Sequence, residues 1–155
     1  MDEHFSQSGT DLEYSLLMGL TGVSVSKHLL DEHFTLLWAN DFYYDMIGYS
    51  KEEYETLFHN QPDLYYKGYE ELWDMLAQKV YETIENKADG YELVTQMPVK
   101  GGIKWIKLTS TFTTQLQNGV PMSYTVMTDV EDIMQARLEQ TIAYDNLPGF
   151  IAKYK

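Results

Sequence analysis

The spacing of apolar positions changes several times along the chain, and each change marks an element. Leu12, Leu16, Leu17 and Leu20 recur at helical spacing behind Thr10-Asp11-Leu12-Glu13, a capping box in which Thr and Glu satisfy each other's orphan amides. Residues 1 to 9 before it read as a loose tail, and Gly19 and Gly22 bracket the helix end. Val23 to Leu29 and Phe34 to Trp38 flank the polar turn Asp31-Glu32, which is the pattern of a strand hairpin. At Asn40 the period switches from strand to helix. Asn40 or Asp41 caps a short helix carrying Phe42, Tyr43, Met46 and Ile47, and Gly48 closes it in the left-handed conformation that Gly tolerates. Ser50-Lys51-Glu52-Glu53 opens another helix at once through a second capping box. After Asn60-Gln61-Pro62, Leu72, Leu76, Val80 and Ile84 repeat every four residues and predict a longer helix from about Tyr69 to Asn86, ended by Ala88-Asp89-Gly90.

The second half alternates instead. Tyr91 to Val99, Ile103 to Thr114 and Val120 to Thr128 read as three strands, separated by Lys100-Gly101-Gly102 and Gln117-Asn118-Gly119. Asn118-Gly119 is the strongest hairpin signal, since both residues accept the positive φ of a tight turn. Thr128-Asp129-Val130-Glu131 reads as a third capping box, opening a helix with Ile133, Met134, Leu138 and Ile142 that runs to about Tyr144. The order predicts an α+β fold, a five-stranded antiparallel sheet with helices on one face. Ile106, Leu108, Ser110 and Phe112 share one side of their strand, while Lys107, Thr109 and Thr111 share the other with Trp105. A Trp on the wetter side asks for a cover, supplied by the N-terminal helix or by a second subunit.

Composition narrows the function classes. The chain has 155 residues, 44% hydrophobic and 14% aromatic, enough for one domain with a real core. Its 24 acidic against 11 basic residues give a net charge of -13, which repels nucleic acid and anionic membrane surfaces. No apolar run approaches a membrane span, and the acidic start MDEHFSQSGTDLE is unlike a signal peptide, so a cytoplasmic location is expected. Without cysteine the chain has no disulfide, thiolate metal site or cysteine nucleophile.

From Val23 to Glu131 these pieces resemble the PAS sensor family. The resemblance rests on the strand ending in Trp38-Ala39-Asn40, on Ile47-Gly48-Tyr49-Ser50 before Lys51-Glu52-Glu53, on Gly101-Gly102-Ile103-Lys104-Trp105-Ile106, and on Thr128-Asp129-Val130 at the exit. It implies a sensory or dimerisation module, a PAS-like five-stranded sheet cradling helices around a pocket, with an N-terminal cap helix over residues 1 to 22 and a C-terminal signalling helix. The PAS domain itself is expected over 23 to 130, and residues 131 to 155 as the exit helix and the start of a following module, read from Tyr144 to Ala152. The missing part is expected to be a further PAS module, a GGDEF diguanylate cyclase or a histidine kinase in the same chain, and the module a homodimer. The family often ends in Asp-Ile-Thr; here Glu131 follows Asp129 and Val130, so the third-position contact differs.

The candidate site follows from the same elements. Asn40 anchors the turn beside the pocket or caps the helix, and the two roles are compatible. Phe42, Tyr43, Trp73 and Tyr81 are aromatic candidates for the wall or for plain core, together with Leu76, Val80, Ile106, Leu108 and Met127. The resemblance places Gln96 on the inner side near Ser110, although the opposite phase turns Tyr91, Leu93 and Met97 inward. Asp129, Val130 and Glu131 are the expected signal exit. No cofactor is legible. A cysteinyl-flavin adduct and a thioester chromophore both need the missing Cys, and haem has only the surface-loop His59 near the helices. His28, Asp31, Glu32 and His33 meet in one turn, where a solvated hairpin end is favoured over a metal site. Catalysis is not expected. Ser24-Val25-Ser26-Lys27 spells Ser-x-x-Lys, but in a strand its two side chains point to opposite faces. A ligand-free dimerisation spacer, its pocket filled by Leu76, Ile106, Leu108 and Phe112, is the alternative to the sensor.

Overall fold

A computed structural model describes residues 23 to 145, with side chains through residue 140. The tail and helix expected over residues 1 to 22 lie outside that range, as does most of the module read into Tyr144 to Ala152. Strands β1 (Ser24–Leu29) and β2 (Leu36–Ala39) come first, followed by helices α1 (Asp41–Ile47), α2 (Lys51–Phe58), α3 (Pro62–Tyr65) and α4 (Glu70–Glu85). Strands β3 (Gly90–Val99), β4 (Gly102–Gln117) and β5 (Val120–Asp129) complete the sheet, and α5 (Glu131–Asp145) leaves it. The strand order is β2-β1-β5-β4-β3, every neighbouring pair antiparallel. The expected five-stranded antiparallel sheet is therefore present, and β5 at its centre joins the two halves of the chain.

Local chemistry sets these elements. Asn40 caps α1 by accepting the Tyr43 amide at 3.2 Å, and the same side chain accepts the Val25 amide and donates to the Val23 carbonyl. One residue thus satisfies a helix start and ties it to β1. Gly48 ends α1 at φ +83°, and Ser50 and Glu53 form both bonds of the capping box on α2. Asn118 and Gly119 both take positive φ at the β4–β5 hairpin, as expected.

Two local expectations are corrected. Phe34 is not a strand residue: it sits buried at φ 52°, and β2 begins at Leu36. The Asp31 carboxylate collects the amides of His33 and Thr35 and the Thr35 hydroxyl, and this tight turn takes the chain off the ladder. Nor does Thr128 cap the exit helix. Asp129 accepts the Glu131 amide at 2.9 Å, and the Glu131 carboxylate turns to the Trp105 amide at 2.8 Å instead of closing a box.

The sheet's helix-facing side carries alternate rows. Register aligns Leu93 with Leu108 and Leu108 with Met127, an apolar row, while Tyr91, Ser110, Thr125 and Ser26 form the row beside it. Against them the helices pack Tyr43, Tyr44, Ile47, Tyr54, Tyr65 and Tyr66. Ring centroids 5.4 Å apart for Tyr54 and Tyr65, and 5.8 Å for Tyr65 and Tyr66, make this layer a continuous aromatic contact. The Tyr65 hydroxyl donates to the Pro98 carbonyl, pinning the four-residue α3, which the sequence pattern did not announce, to β3.

Candidate ligand-binding site

Between that aromatic layer and the sheet lies a cavity of about 60 Å³. From the expected set, Tyr43, Leu76, Val80, Leu108 and Met127 line it. The others lie elsewhere. Asn40 is occupied at the start of α1, and Phe42 stands at the surface on the same helix, 36% exposed. Trp73 packs between Phe34 and Tyr66, at centroid distances of 5.0 and 5.6 Å, outside the lining, and Tyr81 is 53% exposed at the end of that stack. Ile106 is fully buried in the core without reaching the cavity. Ser110 stands just behind the wall, its hydroxyl 3.0 Å from that of Thr125, which does line it.

Gln96 faces the other way. Met97 and Tyr91 line the cavity, so β3 takes the opposite phase and Gln96 pairs across from Trp105 on the far face. Met97 and Thr95 are buried, and placing them inward buries more apolar surface than Gln96 would.

The polar half of the lining was not foreseen. Ser26 and His28 on β1 pair in register with Thr125 and Ser123 on β5, and all four line the cavity. The signal was the alternation Ser24-x-Ser26-x-His28, a polar series on a strand buried on its helix side. The tyrosines at 54, 65 and 66 were equally visible in sequence, but their wall position depends on how short helices fold back.

Electrostatically the cavity is uncharged. Desolvation lowers the His28 imidazole to about 4, against a weaker upward pull from Asp31, so it is neutral at pH 7. Its Nδ1 lies 3.5 Å from the Ser26 hydroxyl. Burial raises the phenols of Tyr43, Tyr54 and Tyr66 above their ordinary range, and pushes Tyr91 up to about 12 against the pull of the Ser110 hydroxyl. The Tyr54 hydroxyl is fully buried and no group meets it in hydrogen-bond geometry, although the neighbouring Tyr43 phenol bears on its ionisation. A buried donor without a partner is uncommon and marks a place where a guest atom would be stabilising.

Strand β5 runs from the cavity wall to the start of α5. Met127 lines the cavity, and two residues further along β5 Asp129 pairs with Ile106. Asp129 bonds Lys104 across 3.1 Å and caps Glu131, while the Val130 amide donates to the Trp105 carbonyl at 3.1 Å. The first residues of α5 are thus held to the β4–β5 end of the sheet.

No family model matches the sequence, and no curated protein matches it. Solved structures do. The PAS domain of a protein from Colwellia psychrerythraea aligns over 84% of this chain and 99% of its own at a TM-score of 0.55 and 15% identity. The PAS domain of the fruit-fly ELK potassium channel aligns over 77% and 95% at 0.52 and 13%. A light-oxygen-voltage domain studied with a flavin analogue aligns over 82% and 92% at 0.52 and 15%. With its strand order, its helices between β2 and β3 and these matches, the chain has the PAS fold.

Proposed function

We propose that this domain is a sensory input module of a signal-transduction protein. A small molecule in the cavity shifts the end of β5, and α5 carries the shift to an effector in the same polypeptide, a GGDEF diguanylate cyclase or a histidine kinase. The observation that carries the reading is the position of Met127, which touches the cavity two residues before the exit contact of Asp129. A guest that favours one position of Met127 biases the start of α5 by its differential affinity for the two positions.

Binding fits the residues better than catalysis. Ser24 faces the helices and Lys27 the opposite face of β1, so the Ser-x-x-Lys string forms no nucleophile and base pair. A flavin does not fit the cavity as it stands. Its about 60 Å³ is well short of the roughly 300–1,000 Å³ of a pocket for a drug-sized ligand, and the chain has no Cys for an adduct. The same reading takes residues 1 to 22 as a cap segment, 23 to 130 as the sensor and 131 to 155 as the exit. It places the module in the cytoplasm as a homodimer, for which the exposed Ile133 and Leu138 on α5 offer an apolar contact. Among the described residues no helix is long and apolar enough to cross a membrane.

A second reading, a ligand-free dimerisation spacer, is favoured by the cavity's small size. Leu76 and Leu108 wall it and Ile106 is fully buried behind them, much as a filled pocket requires. Native mass spectrometry of the purified chain, with an absorbance scan of the same sample, tests between the two. Extra mass that is lost on denaturation is expected for the sensor. A dimer at bare protein mass that takes up nothing from a metabolite extract would sink it and leave the spacer.

A further inference from the structure

The cavity is walled mostly by apolar side chains, Leu76, Val80, Leu108 and Met127 among them, and its few polar groups come from two sides. The sheet presents the hydroxyls of Ser26, Ser123 and Thr125 with the His28 imidazole, and the helices present phenols, Tyr54 among them. Among the described residues no carboxylate, lysine or arginine lines it. Lys27, adjacent in sequence to two lining residues, belongs to the opposite face of β1. An ion brought into such a space loses its water and meets no opposite charge, which is the costliest way to bury a charge. A neutral molecule escapes that cost.

Size adds a bound. One water needs roughly 10–15 Å³ of such space, so a cavity of about 60 Å³ holds a guest of only a few non-hydrogen atoms. Tyr54 supplies direction, because its fully buried hydroxyl meets no group in full hydrogen-bond geometry, the Tyr43 phenol beside it included, and can donate to an acceptor brought within reach.

Building on the sensor reading above, we infer that the cavity selects a small uncharged polar molecule, such as a primary amide, whose acceptor oxygen meets the Tyr54 hydroxyl and whose donor faces the sheet hydroxyls. The protein side of the site matches this choice, since desolvation keeps the His28 imidazole neutral and burial keeps the Tyr54 phenol protonated. His28 then offers a further acceptor or donor according to its tautomer.

The test uses probes of one shape and different charge. The full 155-residue chain is titrated with acetamide, acetate and acetamidinium while the methyl resonances of Met97 and Met127 are followed by NMR. Saturable shifts with acetamide are expected, with both charged probes at least about tenfold weaker. Tyr54→Phe is expected to weaken acetamide by about fivefold or more, and Ser123→Ala serves the same purpose if that variant does not fold. Acetate or acetamidinium binding as tightly as acetamide overturns the inference while leaving a ligand-binding sensor intact. Unchanged acetamide affinity in the folded variant overturns the role given to the hydroxyl that variant removes. If none of the three shifts the methyls, the inference fails, and xenon then decides the parent reading. Xenon shifts at the same methyls keep an accessible cavity; their absence removes the cavity and the sensor with it.

Discussion

Asp129 and Lys104 stand 3.1 Å apart, Oδ2 to Nζ, and the same aspartate caps α5 through the Glu131 amide. Desolvation alone would raise its carboxyl, but the Glu131 amide and Lys104 outweigh it and hold the group below the usual carboxylate range. Charge on Asp129 therefore joins the sheet to the exit helix. Its side chain holds both β4 and α5 at that corner, beside the Glu131 carboxylate on the Trp105 amide.

Asp129→Ala is expected to cost only about 0.5–1 kcal/mol of stability, because the pair is largely solvated and one cap is lost. In a polypeptide carrying the proposed effector, it is expected to flatten the proposed response to ligand while leaving basal output. Denaturant midpoints of the isolated chain and dose-response curves of the effector check the two halves. A normal response in the variant would rule out this corner as the route of the signal.

Asn40 makes three hydrogen bonds, to the Val25 amide, the Val23 carbonyl and the Tyr43 amide. Asn40→Ala leaves these partly buried groups unpaired and is expected to destabilise by about 2–3 kcal/mol. Asn40→Asp keeps both acceptor contacts but loses the donor to Val23, so it is expected to retain α1 and lose less. Urea unfolding of the two variants checks the order; equal losses would mean that the two accepted amides contribute little and that the donor to Val23 carries the effect.

Elements written in local chemistry were legible in the sequence, and those set by long-range packing were not. The Ser50 capping box, Gly48 and the Asn118-Gly119 hairpin each depend on neighbours within a few residues, and each formed as expected. The phase of β3 depends on burial against distant helices, and its residues alternate acceptably either way, so Gln96 fell on the wrong face. Thr128 offered a capping box by pattern, but Glu131 found a partner on β4, Trp105, that no local rule contains. The site split similarly. Leu76, Val80, Leu108 and Met127 follow from amphipathic spacing, whereas Tyr54, His28 and Ser123 reach the cavity only through tertiary folding.

Gly90 starts β3 where a Cβ would lie 2.0 Å from the Ser110 carbonyl oxygen. That atom is backbone in a paired strand, so it yields only if β3 and β4 separate. Gly90→Ala is expected to cost more than about 2 kcal/mol, and to loosen Ser110 behind the cavity wall. Gly48→Ala, at φ +83° with the Lys100 Cβ at 3.1 Å, is expected to cost about 1–2 kcal/mol from backbone strain. Thermal denaturation should rank them in that order, and a Gly90→Ala protein as stable as the parent would refute the close approach.

Two histidines of one hairpin titrate in opposite directions. His33 donates from Nδ1 to the Asp63 carboxylate across 2.7 Å, and this hydrogen bond, with nearby acids, raises its pKa above the ordinary 6.5. Its stabilising contribution is complete below that ordinary value and is lost as pH rises through the raised one; exposure limits it to under about 1 kcal/mol. His28, desolvated to about 4, does the reverse. Its neutral form is favoured by the fold, so its contribution is complete above pH 6.5 and is lost as pH falls toward 4, by about 3 kcal/mol at most. Stability should therefore pass through a maximum near neutral pH. His28→Gln is expected to remove much of the slope on the acid side, and His33→Gln the smaller slope on the alkaline side. Histidine ring NMR titrations read the two pKa values directly, and two histidines both titrating near 6.5 would contradict the desolvated setting of His28 and the Asp63 contact of His33.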